Sequence, residues 1–200
     1  MKKDTPSQLL ENSTILPLVL FGPSGAGKTA VKNRLMERYP QLFGFSVSAT
    51  TRPKRDTEVA GKDYHFLTEE EFSDAVKSGQ FFEWKEVYPD LRPNGFYGTL
   101  NSEIEGILKR GKVPLFDVDV DGALHIIDLS GSNVFSVAIT ATEEKLKESV
   151  TSRKLDSAEH IAVRVDKGPK ELVLIIENTA RISMIVPRIE HGLDAMVDEI

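Results

Sequence analysis

The chain has 200 residues, no cysteine, and 31 acidic against 25 basic side chains, for a formal net charge of −6 at pH 7. That length forms one compact unit, with room for small inserted lobes and a core that needs no staples. Disulfides and thiolate metal sites are excluded and an intracellular setting fits; the acidic balance argues against a dedicated nucleic-acid binder, and apolar runs of about six residues are too short to span a membrane.

Residues 1–14 read as a polar, poorly ordered tail, because Lys2 and Lys3 are not followed by an apolar core of signal-peptide length. Leu16–Phe21 reads as a buried strand. The next eight residues, Gly22-Pro-Ser-Gly-Ala-Gly-Lys28-Thr29, lead into a segment with Val31, Leu35 and Tyr39 at helical spacing, ended near Pro40. This strand, Gly-rich loop and helix make the P-loop pattern. The glycines let several N–H groups turn inward on phosphate oxygens, the helix N-terminus adds its positive end, Lys28 can reach the β- and γ-phosphates, and Thr29 can offer its hydroxyl to Mg²⁺. Phe43–Val47 is a short strand, residues 49–63 a loop carrying Pro53 and Gly61, and Tyr64–Leu67 another short strand. Thr68 with Glu71 forms a capping box for a helix over Glu69–Ser78, closed by Gly79. Phe81–Val87 is a strand, Pro89, Pro93 and Gly95 mark a loop, Ser102–Arg110 is a helix, and Val113–Val118 is a buried strand ending in acids.

Val134–Ile139 continues as a strand, and Thr140 with Glu143 is expected to cap a helix running to Val150. Asp156 with Glu159 opens another helix to Val165, which Gly168 and Pro169 interrupt. Ile182–Val186 is the last strand and Leu193–Glu199 a short terminal helix. Strands alternating with helices mean an α/β fold with a mostly parallel central sheet, and the strands clustered over 43–98 suggest a smaller lobe set into it.

A second dense stretch, Phe45-Ser-Val-Ser-Ala-Thr-Thr-Arg-Pro-Lys-Arg55, is followed by Glu58, Gly61, Lys62, Asp63 and Tyr64. Two arginines three apart in a polar loop with a nearby phenol suit a dianionic phosphate, since guanidinium groups grip oxygens in pairs; a solvated basic loop is the other reading. Asp117 and Asp119 end one strand, and as alternate residues they share a face.

With Phe82-Glu-Trp84, Tyr97-Gly-Thr99 and Gly122 added to these stretches, the chain resembles the guanylate kinase family, P-loop enzymes that move a phosphate from ATP to GMP. The resemblance is strong over about residues 17–125 and loose in the C-terminal third. It implies a P-loop NTPase-type parallel sheet core flanked by helices, with an inserted GMP-binding lobe and a helical lid. The expected single domain, 15–200, divides into a core (15–45, 101–140 and 176–200), a lobe (46–100) and a lid (141–175). By the same resemblance Gly22, Pro23, Ser24, Gly25, Ala26, Gly27, Lys28 and Thr29 hold the ATP phosphates. Arg52, Arg55, Tyr64 and Tyr97 grip the GMP phosphate, and Ser48, Glu83 and Thr99 read the guanine. Thr29 and Asp117 serve Mg²⁺, Asp119 faces the acceptor nucleotide, and Lys28, Arg52 and the lid arginines Arg153 and Arg164 neutralise charge in transfer. A carboxylate at Glu83 suits guanine, which presents N1–H and a 2-amino group, and leaves adenine N1 unpaired. The implied substrates are ATP and GMP or dGMP, handled by a cytoplasmic monomer or homodimer that binds neither nucleic acid nor membrane. Two alternatives are a catalytically weak guanylate kinase-like scaffold module, against which Lys28, Thr29 and the whole Gly pattern stand, and a P-loop kinase for another phosphorylated acceptor.

The chain also departs from the family. Arg is usual where Ser149 stands, and Asn where Pro187 stands, and both flank the donor base. The expected consequence is looser donor-base selectivity, with Pro187 or Arg188 packing on the ring instead. The loop from Tyr88 to Gly95 is longer than usual, with Arg92 either an extra phosphate contact or a solvated side chain. Gly168 and Pro169 are expected to shorten or kink the lid helix.

Overall fold

Five parallel strands form the central sheet of the computed structural model, which describes residues 8, 10, 13–87, 95–152, 158–188 and 192–200. In chain order the elements are β1 (Leu18–Phe21), α1 (Lys28–Arg38), β2 (Phe43–Phe45), β3 (Ala49–Thr50), β4 (His65–Phe66), α2 (Glu69–Lys77), β5 (Phe81–Glu86), β6 (Phe96–Leu100) and α3 (Asn101–Lys109). There follow β7 (Val113–Asp117), α4 (Val120–Ser130), β8 (Phe135–Thr140), α5 (Glu143–Thr151), α6 (Ala158–Glu177), a 3₁₀ turn (Thr179–Arg181), β9 (Met184–Pro187) and α7 (Leu193–Asp198). The central sheet has the order β2-β7-β1-β8-β9, and a smaller sheet has the order β4-β3-β6-β5.

Both faces of the central sheet are apolar, as a parallel sheet between helices requires. Val19, Phe21, Phe116 and Ala138 face one core with Ala123 and Ile126 of α4 and Ile175 of α6. Leu18, Leu20, Leu115, Val137 and Ile139 face the other with Val31 and Leu35 of α1, Leu146 of α5 and Met196 of α7. Leu10, inside the segment expected to be a polar tail, is 2% exposed and belongs to the first core. β1 lies between β7 and β8, with Leu20 opposite both Asp117 and Val137. The loop after β1 therefore opens at the carboxyl edge of the sheet, where ligands of such folds bind.

In the smaller sheet β6 pairs antiparallel with β3 and β5, while β3 and β4 are parallel. A register shift between Phe81 and Glu83 interrupts the β5–β6 ladder. Such a bulge re-aims side chains, and three consecutive residues are buried here: Phe81 in the lobe's own core, Phe82 against Phe116 of the central core, and Glu83 opposite Thr99. The Thr68–Glu71 capping box is present, with the Glu71 N–H donating to the Thr68 hydroxyl at 3.1 Å and the Thr68 N–H donating to the Glu71 carboxylate at 2.7 Å.

Several elements differ from expectation. The cap of α5 is Thr142, whose hydroxyl accepts from the Lys145 N–H, while Thr140 is the last residue of β8. α6 runs unbroken through Gly168 and Pro169. Pro169 removes one helical N–H, but burial of Ile175 and the seat of Gly168 beside Leu146 hold the helix on both sides of it. Tertiary packing outweighs the local cost. β6, the two-residue β3 inside the expected loop, and α4 are additional to the elements expected. Asp119 caps α4 by accepting from the Gly122 N–H at 3.0 Å. The prolines and Arg92 of the loop after β5 lie outside the described residues. No helix among the described residues is long and apolar enough to cross a membrane.

Candidate functional site

The loop between β1 and α1 wraps the N-terminus of α1. Gly22 has φ of 145°, and a β-carbon there would lie 2.0 Å from the Ile139 carbonyl oxygen of β8, so only glycine fits. α5 crosses over the loop so closely that a β-carbon on Gly25 would lie 2.7 Å from the Leu146 carbonyl oxygen. The Lys28 ammonium donates to the carbonyls of Gly22 at 2.6 Å and Pro23 at 3.1 Å, so it lies across the mouth of its own loop. Thr29 follows, exposed, on the first turn of α1.

A cavity of about 280 Å³ joins this loop to the smaller sheet. Its walls carry Lys28 and Thr29 from the loop, Ser48 and Tyr64 from the lobe, and Glu83 and Tyr97 from β5 and β6. Asp117 and Asp119 close it from the end of β7, and Arg164 reaches it from α6. Glu83 is 7% exposed, and its carboxylate accepts from the hydroxyl of Thr99 at 2.7 Å. Burial pushes Glu83 up to about 7, against the pull of the Thr99 hydroxyl and the Lys85 charge in the other direction.

Arg52 is fixed rather than splayed. Its guanidinium donates to both oxygens of Glu58, one at 2.8 Å, and lies 4.9 Å from the centre of the Tyr64 ring. Hydrogen bonds from Arg52 hold the Glu58 carboxyl down at about 2. Tyr64 and Tyr97 meet edge to face, 5.9 Å apart, and burial raises the Tyr64 phenol above its usual value. Arg55 is exposed, and its backbone N–H donates to Glu58 at 2.8 Å. Arg153 lies outside the described residues.

Asp117 and Asp119 differ in their partners. Asp117 pairs at 3.3 Å with Lys32 of α1, whose ammonium also sits 4.0 Å over the Phe45 ring. Burial alone would raise Asp119, but Lys85 and Lys167 hold it at about 2. Glu171 of α6, 2% exposed, accepts from the Ser24 N–H of the loop at 3.2 Å. Lys32, Lys85, Lys167 and Glu171 were not singled out from the sequence. Lys85 is two residues beyond Glu83 on a strand and so shares its face. Lys167 and Glu171 follow Arg164 at i+3 and i+7 on one helix face, a face that a helix broken at Gly168 hides.

A second cavity, of about 430 Å³, lies on the other side of the loop. Ala30, Val31 and Met196 line it with Ser149 and Arg188. The Arg188 guanidinium donates to the Ser149 hydroxyl at 2.8 Å and to the Gly25 carbonyl at 3.2 Å.

A parallel sheet whose first strand passes through a Gly-rich turn to a helix opening on Lys-Thr, with one cavity on each side of that turn, defines a phosphate-binding-loop α/β protein. A model of the guanylate kinase family (Guanylate_kin) matches residues 14–183. The chain is 39% identical over 159 residues to the guanylate kinase of Thermotoga maritima, covering 80% of this chain and 74% of that one. It is 42% identical over 156 residues to the guanylate kinase of Helicobacter pylori, covering 78% and 72%. The crystal structure of guanylate kinase from Anaplasma phagocytophilum superimposes with a TM-score of 0.68 at 25% identity, over 94% of this chain and 83% of that one. The chain belongs to the guanylate kinase family.

The buried Glu83 carboxyl carries a pH signature. The folded chain binds a proton there between its ordinary value of 4.5 and about 7, so its contribution to stability is lost as pH rises through 7. Urea unfolding of Glu83→Gln and the parent chain at pH 5 and pH 8 should show the variant gaining about 2 kcal/mol relative to the parent at the higher pH. An equal difference at both pH values would contradict the assignment.

Proposed function

We propose that the chain is a guanylate kinase that transfers the γ-phosphate of ATP to GMP or dGMP, giving ADP and the corresponding diphosphate. The observation that supports this most directly is the buried Glu83 carboxyl, bonded to the Thr99 hydroxyl, in the wall of the cavity that is also lined by the loop Lys28. An ionised carboxylate there accepts from guanine N1–H and the 2-amino group, and adenine would leave it unpaired. Ser48 adds a polar group beside it. Arg52 and Arg55 with the phenols of Tyr64 and Tyr97 hold the acceptor phosphate, and Glu58 and the Tyr64 ring set the orientation of Arg52. Asp119 faces the acceptor.

Gly22, Pro23, Ser24, Gly25, Ala26, Gly27, Lys28 and Thr29 take the donor phosphates. The acceptor phosphate oxygen attacks the γ-phosphorus as the bond to the β,γ-bridging oxygen breaks, and ADP leaves with that electron pair. No general base is needed, because positioning and charge neutralisation carry phosphoryl transfer. Lys28, Arg52, Arg153 and Arg164 supply cations to the migrating group, and α5 and α6 over the loop exclude water. Thr29 and Asp117 would hold Mg²⁺, which neutralises phosphate charge when bound. Two oxygen donors facing one cleft, with no cluster of three or more metal-binding side chains among the described residues, fit an ion held largely by substrate phosphates and water. The reading takes 15–45, 101–140 and 176–200 as the core, 46–100 as the acceptor lobe and 141–175 as the lid. It describes a cytoplasmic monomer or homodimer acting on free nucleotides.

The cavity beside Arg188 receives the donor base. Ser149 is too short to cover a ring, and the guanidinium of Arg188, held by Ser149, stacks on it instead. A stacked guanidinium reads the face of a base and not its edge, so donor selectivity is loose.

ADP release from Mg·ATP should occur with GMP and dGMP and not with AMP, UMP or water, and Lys28→Ala should keep the fold and lose about 10²-fold or more in turnover. Release with no acceptor on the panel, or full turnover in Lys28→Ala, would refute the reading. On the donor side, GTP and CTP should replace ATP with kcat/KM within about tenfold, and Arg188→Ala should raise the KM of every donor about tenfold while sparing that of GMP. A sharp ATP preference untouched by Arg188→Ala would refute the stacking role.

A further inference from the structure

One carboxylate joins three parts of the molecule. Asp119 stands at the end of β7 as the cap of α4, where its Oδ1 accepts from the Gly122 N–H at 3.0 Å. The same Oδ1 receives the ammonium of Lys85, from β5 of the acceptor lobe. Its Oδ2 receives the ammonium of Lys167, from α6, at 3.1 Å. Asp121 supports both lysines, at 3.8 Å from Lys85 and 3.4 Å from Lys167. Lys167 also pairs with Glu171 one turn along α6 at 3.3 Å, and Glu171 accepts from the Ser24 N–H of the phosphate loop. The chain of contacts thus runs from the acceptor lobe through Asp119 to α6 and on to the donor loop.

Lys85, Asp119, Lys167 and Glu171 are all largely buried, so salt screens their pairs less than a surface pair, while Asp121 is exposed. The geometry is also selective. β5 carries Glu83 and Lys85 on one face, so a shift of the strand that seats Glu83 against an acceptor base moves the Lys85 ammonium relative to Asp119. α6 carries Arg164, Lys167 and Glu171 on one face, so the seat of Lys167 on Asp119 fixes how Arg164 enters the cleft and how Glu171 meets the loop. Neither lysine was needed to explain phosphate or base binding.

We propose that Lys85 and Lys167 are positioning residues that, by sharing Asp119, couple the seating of the acceptor lobe to the docking of α6 over the donor loop. The proposal rests on the phosphotransfer reading above. Without a base against Glu83, Lys85 and Asp119 are held only by the protein's own contacts. A filled site locks the cluster and with it Lys167, Glu171 and the loop. The donor is then held tightly only where an acceptor waits, which limits transfer of the phosphate to water.

Calorimetric titration of a Mg-complexed, non-hydrolysable ATP analogue into the protein alone and into the protein saturated with GMP tests this. The parent chain should bind the analogue about tenfold more tightly with GMP present, within the usual range of coupling between sites. Lys167→Met should remain folded at the assay temperature and bind GMP alone as the parent does, but its tightening should fall to within about twofold. Lys167→Arg should keep most of it, because the cation and its reach remain. An undiminished tightening in Lys167→Met, or none in the parent chain, would overturn the proposal while leaving phosphotransfer to GMP intact. Failure of the parent chain to bind GMP at all would instead overturn the functional reading, and this inference with it.

Discussion

The backbone of the loop after β1 has nowhere else to go. At Gly22 the chain turns against the Ile139 carbonyl of β8 with no space for a side chain. That contact directs the following residues across the end of the sheet and aims α1 at the cleft. The inward turn of the loop, the position of Lys28 across its mouth, and the passage of α5 over Gly25 all follow from it. A β-carbon at either glycine would push β8 or α5 away and open the loop. Both cavities are bounded by that same stretch of backbone.

Charge is the second organising constraint. The cleft gathers acids that would repel phosphate, and each has cations close by. Lys32 sits on Asp117, and Lys85 and Lys167 sit on Asp119. Arg52 is balanced by Glu58 and by the π-faces of Tyr64 and Phe66, so the guanidinium is held in place before any ligand arrives. Preorganised charge of this kind is worth more than the same groups free in water, because the protein has already borne the cost of ordering them. Glu83 is the exception: it is buried with a neutral hydroxyl partner, and burial raises its proton affinity. A group left under-satisfied in this way gains most from a ligand that brings two donors.

Much of this was legible in the sequence because the informative residues are local. The strand, turn and helix around Lys28, the Thr68–Glu71 cap, and the paired acids after Leu115 and Phe116 each lie within a dozen residues. Less legible was whatever depends on packing between distant segments. α4 carries Val120, Ala123, Ile126 and Ile127 at helical spacing, but Asp119, its cap, also reads as a site acid at the end of a strand. Pro169 signals a break by local rules, and packing of α6 against the core overrides it. Lys167 and Glu171 became visible as site neighbours only once that helix was continuous. Lys85 needed the pairing of β5 with β6 to show which face it shares. Ser149 and Arg188, 39 residues apart, meet only because α5 and the end of β9 flank the same loop.

The central claim is that one cleft reads a guanine base and a phosphate together. Calorimetric titration of GMP, AMP and guanosine into the protein without donor tests it most directly. GMP should bind, AMP should bind about 10²-fold or more weakly because Glu83 is left unpaired, and guanosine should be weaker by a similar factor because the Arg52 and tyrosine cluster is left empty. Equal binding of GMP and AMP would contradict the role of Glu83, and equal binding of GMP and guanosine would contradict that of the arginine loop.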